Sequence, residues 1–140
     1  MKLDCLYGVW REHLSKSVIK TSDAPKAIGT YSQGIRSKNM VFTSGQIPIN
    51  PKTGELIIDD FTAEVYQVLT NLDAVFKGGG SSLQSAVKLT VFLTDLSYFA
   101  QVNEIFLSFF SKEPPARSAV QVSALPMNAR IEIEAIGYVE

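Results

Sequence analysis

FTAEVYQVLTNLDAVFKGGGSSLQSAVKLTVFL, residues 61–93, holds a helix, its stop and a strand in one run. Over Phe61–Lys77 the apolar residues Val65, Val68, Leu69, Leu72, Val75 and Phe76 recur at helical spacing and form one face. Asp59 or Asp60 can cap the start of this helix, and Gly78 can end it. Val87–Leu93 is rich in β-branched and aromatic residues and reads as a buried strand. Gly78–Gly80 with Ser81 and Ser82 is too short to separate domains. No GK[ST] follows these glycines, so they read as a helix stop rather than a phosphate loop.

Working outward, a second helix is expected over Leu96–Phe110, with Val102, Ile105, Phe106 and Phe109 facing the core. Strands are expected at Val18–Thr21, Tyr31–Arg36, Met40–Gly45, Ala116–Val122 and Arg130–Val139, with turns at Asp23–Pro25 and Asn50–Gly54. Two long helices among such strands predict an α+β sandwich, a mostly antiparallel sheet with both helices on one face. The other face is then uncovered. Yet Met40–Phe42 and Val87–Leu93 are apolar at consecutive positions, so both faces of those strands are expected to be buried. The second face is expected to pack against other subunits in a closed oligomer.

Composition narrows the function. The 140 residues are 46% hydrophobic and 19% charged, an ordinary globular balance able to bury one core without staples. One domain is expected over 17–140. Lys plus Arg is 13 and Asp plus Glu is 14, a net charge of −1 that supplies no basic excess for a dedicated nucleic-acid binder. No apolar run has the length to span a membrane. A lone Cys cannot form an internal disulfide, which fits a reducing, cytoplasmic setting. Cys5 and His13 together cannot close a structural zinc site. Both lie in residues 1–16, MKLDCLYGVWREHLSK, which read as an N-terminal extension or poorly ordered tail. Arg11, His13, Lys16 and Lys20 could line one face of a mitochondrial or other organellar targeting segment, but Asp4 and Glu12 argue against it.

With no Cys or His in the expected core, chemistry falls to Arg, Lys, Asp, Glu, Tyr, Ser and backbone groups. Arg117, within Pro114-Pro115-Ala116-Arg117-Ser118-Ala119-Val120, opens an apolar strand and offers a planar, bidentate anion receptor. Its plainer reading is a surface arginine or half of a salt bridge. In Arg130-Ile131-Glu132-Ile133-Glu134-Ala135, the period of two puts Glu132 and Glu134 on one face and Ile131 and Ile133 on the other. The carboxylates form a solvated face, or one of them points into a cleft and orients water. Tyr31, between Gly29 and Gly34, could donate to an anion or pack in a core. In Thr43-Ser44-Gly45-Gln46-Ile47-Pro48, Gly45 marks a close ligand approach or a β-bulge.

In this order the motifs resemble the RidA (YjgF) family of imine deaminases, also known as a translation-inhibitor family. The resemblance runs from about Ser17 to Tyr138. It is carried by Ala24-Pro25 with Ile28-Gly29-Thr30-Tyr31-Ser32-Gln33-Gly34, Ser44-Gly45-Gln46-Ile47-Pro48, Asn50-Pro51-Lys52-Thr53-Gly54, Val87 through Leu96, Phe99 and Val102-Asn103. Pro115-Ala116-Arg117-Ser118, Leu125-Pro126 and Ile131-Glu132-Ile133-Glu134-Ala135 complete it. The resemblance implies a chorismate-mutase-like (YjgF-like) α+β fold and a homotrimeric barrel with active sites in clefts between subunits. It implies hydrolysis of 2-imino acids, or their enamine tautomers, to 2-keto acids and ammonia. Arg117 is then the carboxylate clamp and Glu132 the residue that holds or activates water. Tyr31 is the cleft tyrosine, Ser44 and Gly45 bind substrate partly through backbone groups, and Asn103 is a cleft-facing amide. No metal or organic cofactor is implied.

Two departures from the family pattern stand out. Ala119 occupies a position where many members carry Cys, so no thiol can act there, and Ser111–Pro114 looks shorter than in some members. The competing functions are a non-catalytic module that binds 2-keto acids or similar small carboxylates, and a ribonuclease or translation inhibitor. Glu132 discriminates against the first, because binding a carboxylate gains nothing from a nearby anion. Charge and the absence of a core His argue against the second.

Overall fold

The computed structural model describes residues 16–139. The expected N-terminal extension, with Cys5 and His13, lies outside the described residues save for Lys16, which opens the first strand.

Six strands form one sheet: β1 (Lys16–Ile19), β2 (Gly34–Ser37), β3 (Met40–Thr43), β4 (Ala86–Leu93), β5 (Ala116–Gln121) and β6 (Ile131–Tyr138). Their order is β1-β2-β3-β6-β4-β5. All neighbours are antiparallel except β4 and β5, which run parallel. A parallel pair needs a crossover, and here it is made by α2 (Phe99–Phe109), entered through a 3-10 turn over Leu96–Tyr98. The longer helix α1 (Phe61–Gly78) precedes β4.

The helical period predicted for α1 holds, since Val65, Val68, Leu69, Leu72, Val75 and Phe76 are all fully buried. Asp60 is its N-cap, accepting from the Thr62 and Ala63 amides at 3.2 and 3.4 Å. Beyond its end the chain turns at Gly80, whose φ of +80° favours glycine. Asp95 caps the 3-10 turn with which the second helical segment begins. Its carboxylate accepts from Ser97 N at 2.8 Å and shapes the 3-10 turn that the period alone joins to α2.

Register divides the sheet into two faces. Val41, Leu89, Val91, Leu93, Ile131, Ile133 and Ala135 point towards the helices and form one core with α1 and α2. On the opposite face, one row crosses all six strands: Val18, Ile35, Phe42, Ile136, Lys88 and Ala116 are successive partners. Phe42, Val120 and Tyr138 on this face are 42%, 41% and 40% exposed in the single chain. Met40–Phe42 and Val87–Leu93 are therefore buried on one face only within one copy. Val87 is exposed for a local reason, a register shift between Ala86 and Lys88 that takes it out of the ladder.

Candidate active site

Two clusters gather the residues singled out by sequence. The first is a cleft of about 500 Å³ whose lining includes Tyr31, Ser44, Gly45, Ile47, Glu132 and Glu134. Its floor is β6, where the alternation that buries Ile131 and Ile133 turns Glu132 and Glu134 the other way. Its walls are two irregular segments, residues 25–33 and 43–49. A β-carbon at Gly45 would stand 1.9 Å from the Glu132 Oε1 and 2.7 Å from its Cδ. Glycine at position 45 is thus what allows the carboxylate to lie against the backbone.

Glu132 is half-buried, and no hydrogen-bond donor among the described residues holds it. Burial, and then the neighbouring Glu134 charge, raise its pKa above the ordinary carboxylate range. Tyr31 is half-exposed and its hydroxyl accepts from Ile28 N at 3.2 Å, which leaves the phenolic proton free to donate. Ser44 is different. Its hydroxyl donates to the Ser32 carbonyl and its N–H to the Gln33 carbonyl, so both of its donors hold the wall together.

The second cluster surrounds Arg117 on β5. Its Nη2 donates to Asn103 Oδ1 at 2.6 Å, and its guanidinium lies 5.1 and 5.2 Å from the ring centres of Phe99 and Phe106. Residues 99, 103 and 106 are spaced i, i+4, i+7 and so share one face of α2. Burial lowers the Arg117 pKa, but a guanidinium in this setting stays charged. One donor goes to Asn103, and the rest of the planar fork remains for a ligand.

Within one chain these clusters do not meet. Arg117 is paired with Leu89, whose side chain lies in the helix-side core; Glu132 is paired with Phe92 on the open face. Two ladder spacings separate β5 from β6, roughly 9–10 Å between strand axes. Tyr31, Ser44, Gly45 and Glu132 are therefore brought together, Arg117 and Asn103 are brought together, and a single copy holds the two groups on opposite sides of its sheet.

Three features were missed from sequence. Arg130, read only as the start of a strand, donates from Nε to Glu64 Oε1 and Oε2 at 3.0 and 3.2 Å and from Nη1 to the Tyr98 hydroxyl at 3.1 Å. The signal was present: Glu64 sits on the apolar face of α1 beside Phe61 and Val65, where a carboxylate needs a cation. The Phe99 and Phe106 stack on Arg117 was hidden because core and clamp residues share one helical spacing. Of the buried carboxamides, Gln33 stands in the Ile28–Gly34 motif with no role attached to it, and Asn71 carried no pattern at all.

Residues 21–139 match the family model described as "Endoribonuclease L-PSP". The chain belongs to this family, the RidA/YjgF family its motifs resemble. It is 49% identical over 125 residues to a "RutC family protein" of Pyrococcus horikoshii, covering 89% of this chain and 99% of that one. It is 48% identical over 121 residues to the "2-iminobutanoate/2-iminopropanoate deaminase" of Escherichia coli, covering 84% and 94%. The fold matches the YjgF gene product of E. coli with a TM-score of 0.84 at 46% identity, covering 89% and 99%. It matches E. coli TdcF with bound serine equally well, TM-score 0.84 at 43% identity, covering 89% and 99%.

Proposed function

We propose that this chain hydrolyses 2-imino acids, such as 2-iminobutanoate and 2-iminopropanoate, or their enamine tautomers, to 2-keto acids and ammonium. The observation that carries the reading is Glu132, a half-buried carboxylate of raised pKa that lines a cleft with its acceptors unfilled by the described residues. A pure carboxylate-binding module gains nothing from an anion in that place. Two relatives support the same substrate class: the E. coli protein that carries the deaminase name, and TdcF, which binds serine, an α-amino acid.

The chemistry balances without an added reagent: R–C(=NH2⁺)–COO⁻ and water give R–CO–COO⁻ and NH4⁺. The Arg117 fork clamps the substrate carboxylate and fixes the imine carbon in one place, a positioning contribution. Glu132 accepts a proton as water adds to that carbon, returns it to nitrogen, then takes the hydroxyl proton as the C–N bond breaks and passes it to the departing ammonia as ammonium. A raised pKa suits both halves of this shuttle, since it makes the carboxylate a stronger base than an ordinary one. Tyr31 donates from its free hydroxyl proton. Gly45 and Ser44 shape the approach to the carboxylate, and Asn103 holds Arg117.

The two clusters complete one another across copies: the Arg117 cluster of one copy faces the Glu132 cleft of its neighbour in a homotrimer. The exposed apolar side chains on the open sheet face, Val18, Phe42, Val120 and Tyr138, support this assembly, since the trimer barrel would cover them. The family description names a ribonuclease, but a net charge of −1 provides no basic track for RNA. We place the activity in the cytoplasm, the reducing setting that the lone Cys fits; among the described residues no helix is long and apolar enough to cross a membrane.

The test couples the protein to a threonine dehydratase that generates 2-iminobutanoate, in a buffer that slows spontaneous hydrolysis. Wild type accelerates keto-acid formation, and Arg117→Ala and Glu132→Gln do not. An assembled wild-type protein that gives no acceleration overturns the reading.

A further inference from the structure

The walls of the Glu132 cleft are loops, and loops hold a catalytic geometry only if something fixes them from behind. One buried side-chain amide fastens each wall, Gln33 from within the lining of the cleft and Asn71 from behind it. Gln33, 5% exposed, closes a two-bond ring on Thr21: its Oε1 accepts from Thr21 N at 2.8 Å and its Nε2 donates to Thr21 O at 3.0 Å. This is the pattern a backbone partner would make, so the side chain takes the place of the ladder where β1 and β2 part. The same Nε2 reaches the Ala24 and Pro25 carbonyls at 3.2 and 2.8 Å. The ladder would otherwise engage Ser32 opposite Thr21; instead the Ser32 carbonyl accepts from Ser44 Oγ, which ties this wall to the other. The chain between 22 and 32 leaves the sheet and delivers Tyr31 to the cleft.

The other wall repeats the device. Asn71, fully buried on α1, donates from Nδ2 to the Ile47 and Ile49 carbonyls at 3.3 and 2.9 Å. Its Oδ1 accepts from Gln67 Nε2 at 2.8 Å, which fixes the direction of its amide. Ile47 and Ile49 line the cleft, and the same segment carries Gly45, against which Glu132 lies.

We propose that Gln33 and Asn71 are positioning residues for the reaction: with its amide hydrogens spent on backbone carbonyls, each holds one wall of the cleft so that Tyr31 and the Gly45–Glu132 contact keep their places. The proposal rests on the imine-hydrolase reading above. A carboxylate cannot replace either amide. At neutral pH it has no hydrogen to donate, and it would face carbonyl oxygens in a buried site.

The experiment compares wild type, Gln33→Glu and Asn71→Asp by amide hydrogen exchange and by turnover of 2-iminobutanoate, below the melting temperature of each. Faster exchange is expected in residues 21–32 for Gln33→Glu and in 46–50 for Asn71→Asp, with β4 and β6 still protected. Turnover falls about 10–100-fold in both, the scale set by displacing a reacting group by about 1 Å. Lowering the pH restores part of the Gln33→Glu activity, because the protonated acid regains one donor. If Gln33→Glu does not fold, Gln33→Met, which keeps the length and adds no charge, takes its place. Exchange that quickens throughout β4 and β6 would overturn the proposal, reducing the amides to general stability. So would wild-type turnover in variants whose walls have loosened. A wild type without turnover removes the hydrolase reading instead, and the localised or spread exchange pattern still decides whether these amides hold the walls.

Discussion

Gly45→Ala isolates the contact on which the proposed chemistry turns. Gly45 is not among the residues of positive φ, so alanine fits its backbone without strain. Restricting the unfolded chain would then stabilise the protein by about 0.4–1 kcal/mol. The new methyl, however, falls 1.9 Å from Glu132 Oε1, 2.7 Å from Cδ and 3.0 Å from Cγ. Every atom in that clash belongs to the outer part of one flexible side chain, so Glu132 swings away into solvent and the fold is spared. Leaving its buried place also relieves Glu132. A carboxyl with a raised folded-state pKa adds stability that is fully present below its unfolded value and lost as pH rises through the folded one. At neutral pH the displaced group no longer carries that penalty. Melting temperature is therefore expected to hold or rise. Turnover is expected to fall about 100-fold, the lower end of what a positioned acid–base contributes, or about 2.7 kcal/mol in activation free energy. The assay is keto-acid formation from 2-iminobutanoate across pH, beside a thermal melt. Adding Glu132→Gln to Gly45→Ala should cost little more, because both remove one interaction. A Gly45→Ala protein with wild-type kcat/KM and an unmoved acid limb would refute the reasoning.

Glu134→Gln removes the second cause of the Glu132 shift, so the acid limb of kcat/KM moves to lower pH, while the limb set by burial stays above the ordinary carboxylate range; a pH-rate profile reads it. Arg117→Lys keeps the charge but loses the planar fork and its stacking on Phe99 and Phe106, and should raise KM about tenfold or more, seen in initial rates over substrate concentration. Arg130→Met leaves the Glu64 carboxylate buried without its partner and should lower unfolding free energy by about 3–5 kcal/mol in urea titrations, most of it recovered by adding Glu64→Leu.

Sequence made the helices and the sheet class legible because burial of one helix face imposes a strict spacing, as Val65 through Phe76 display. Strand ends were less legible. Tyr31–Arg36 was expected to be one strand, yet pairing begins only at Gly34, because the Gln33 side chain replaces the ladder and the chain before it loops away. Alternation in β6 puts Glu132 and Glu134 on one face, where the structure has them, but does not record depth: Glu132 is half-buried and Glu134 exposed. Arg117 was legible from its motif, whereas its aromatic clamp needed the crossover from β4 to β5 to be seen. The distribution of the site residues over two faces of one sheet follows from strand order, which no local pattern records.

That strand order also governs how the chain can be made. β6 follows every other described strand, yet its place is between β3 and β4 in the middle of the sheet. A nascent chain that has reached Gln121 owns all five other strands but cannot join them into one sheet. It holds β3 and β4 with two unpaired edges facing a gap. The β4–α2–β5 unit, with Arg117 and its clamp, is contiguous in sequence and can assemble on the ribosome. The Glu132 cleft cannot, since Gly45 and Glu132 meet only when the final strand is inserted. For this protein the interval between synthesis of β5 and release of β6 is the window in which aggregation competes with folding, and a stop codon near residue 130 would leave a chain held permanently in it.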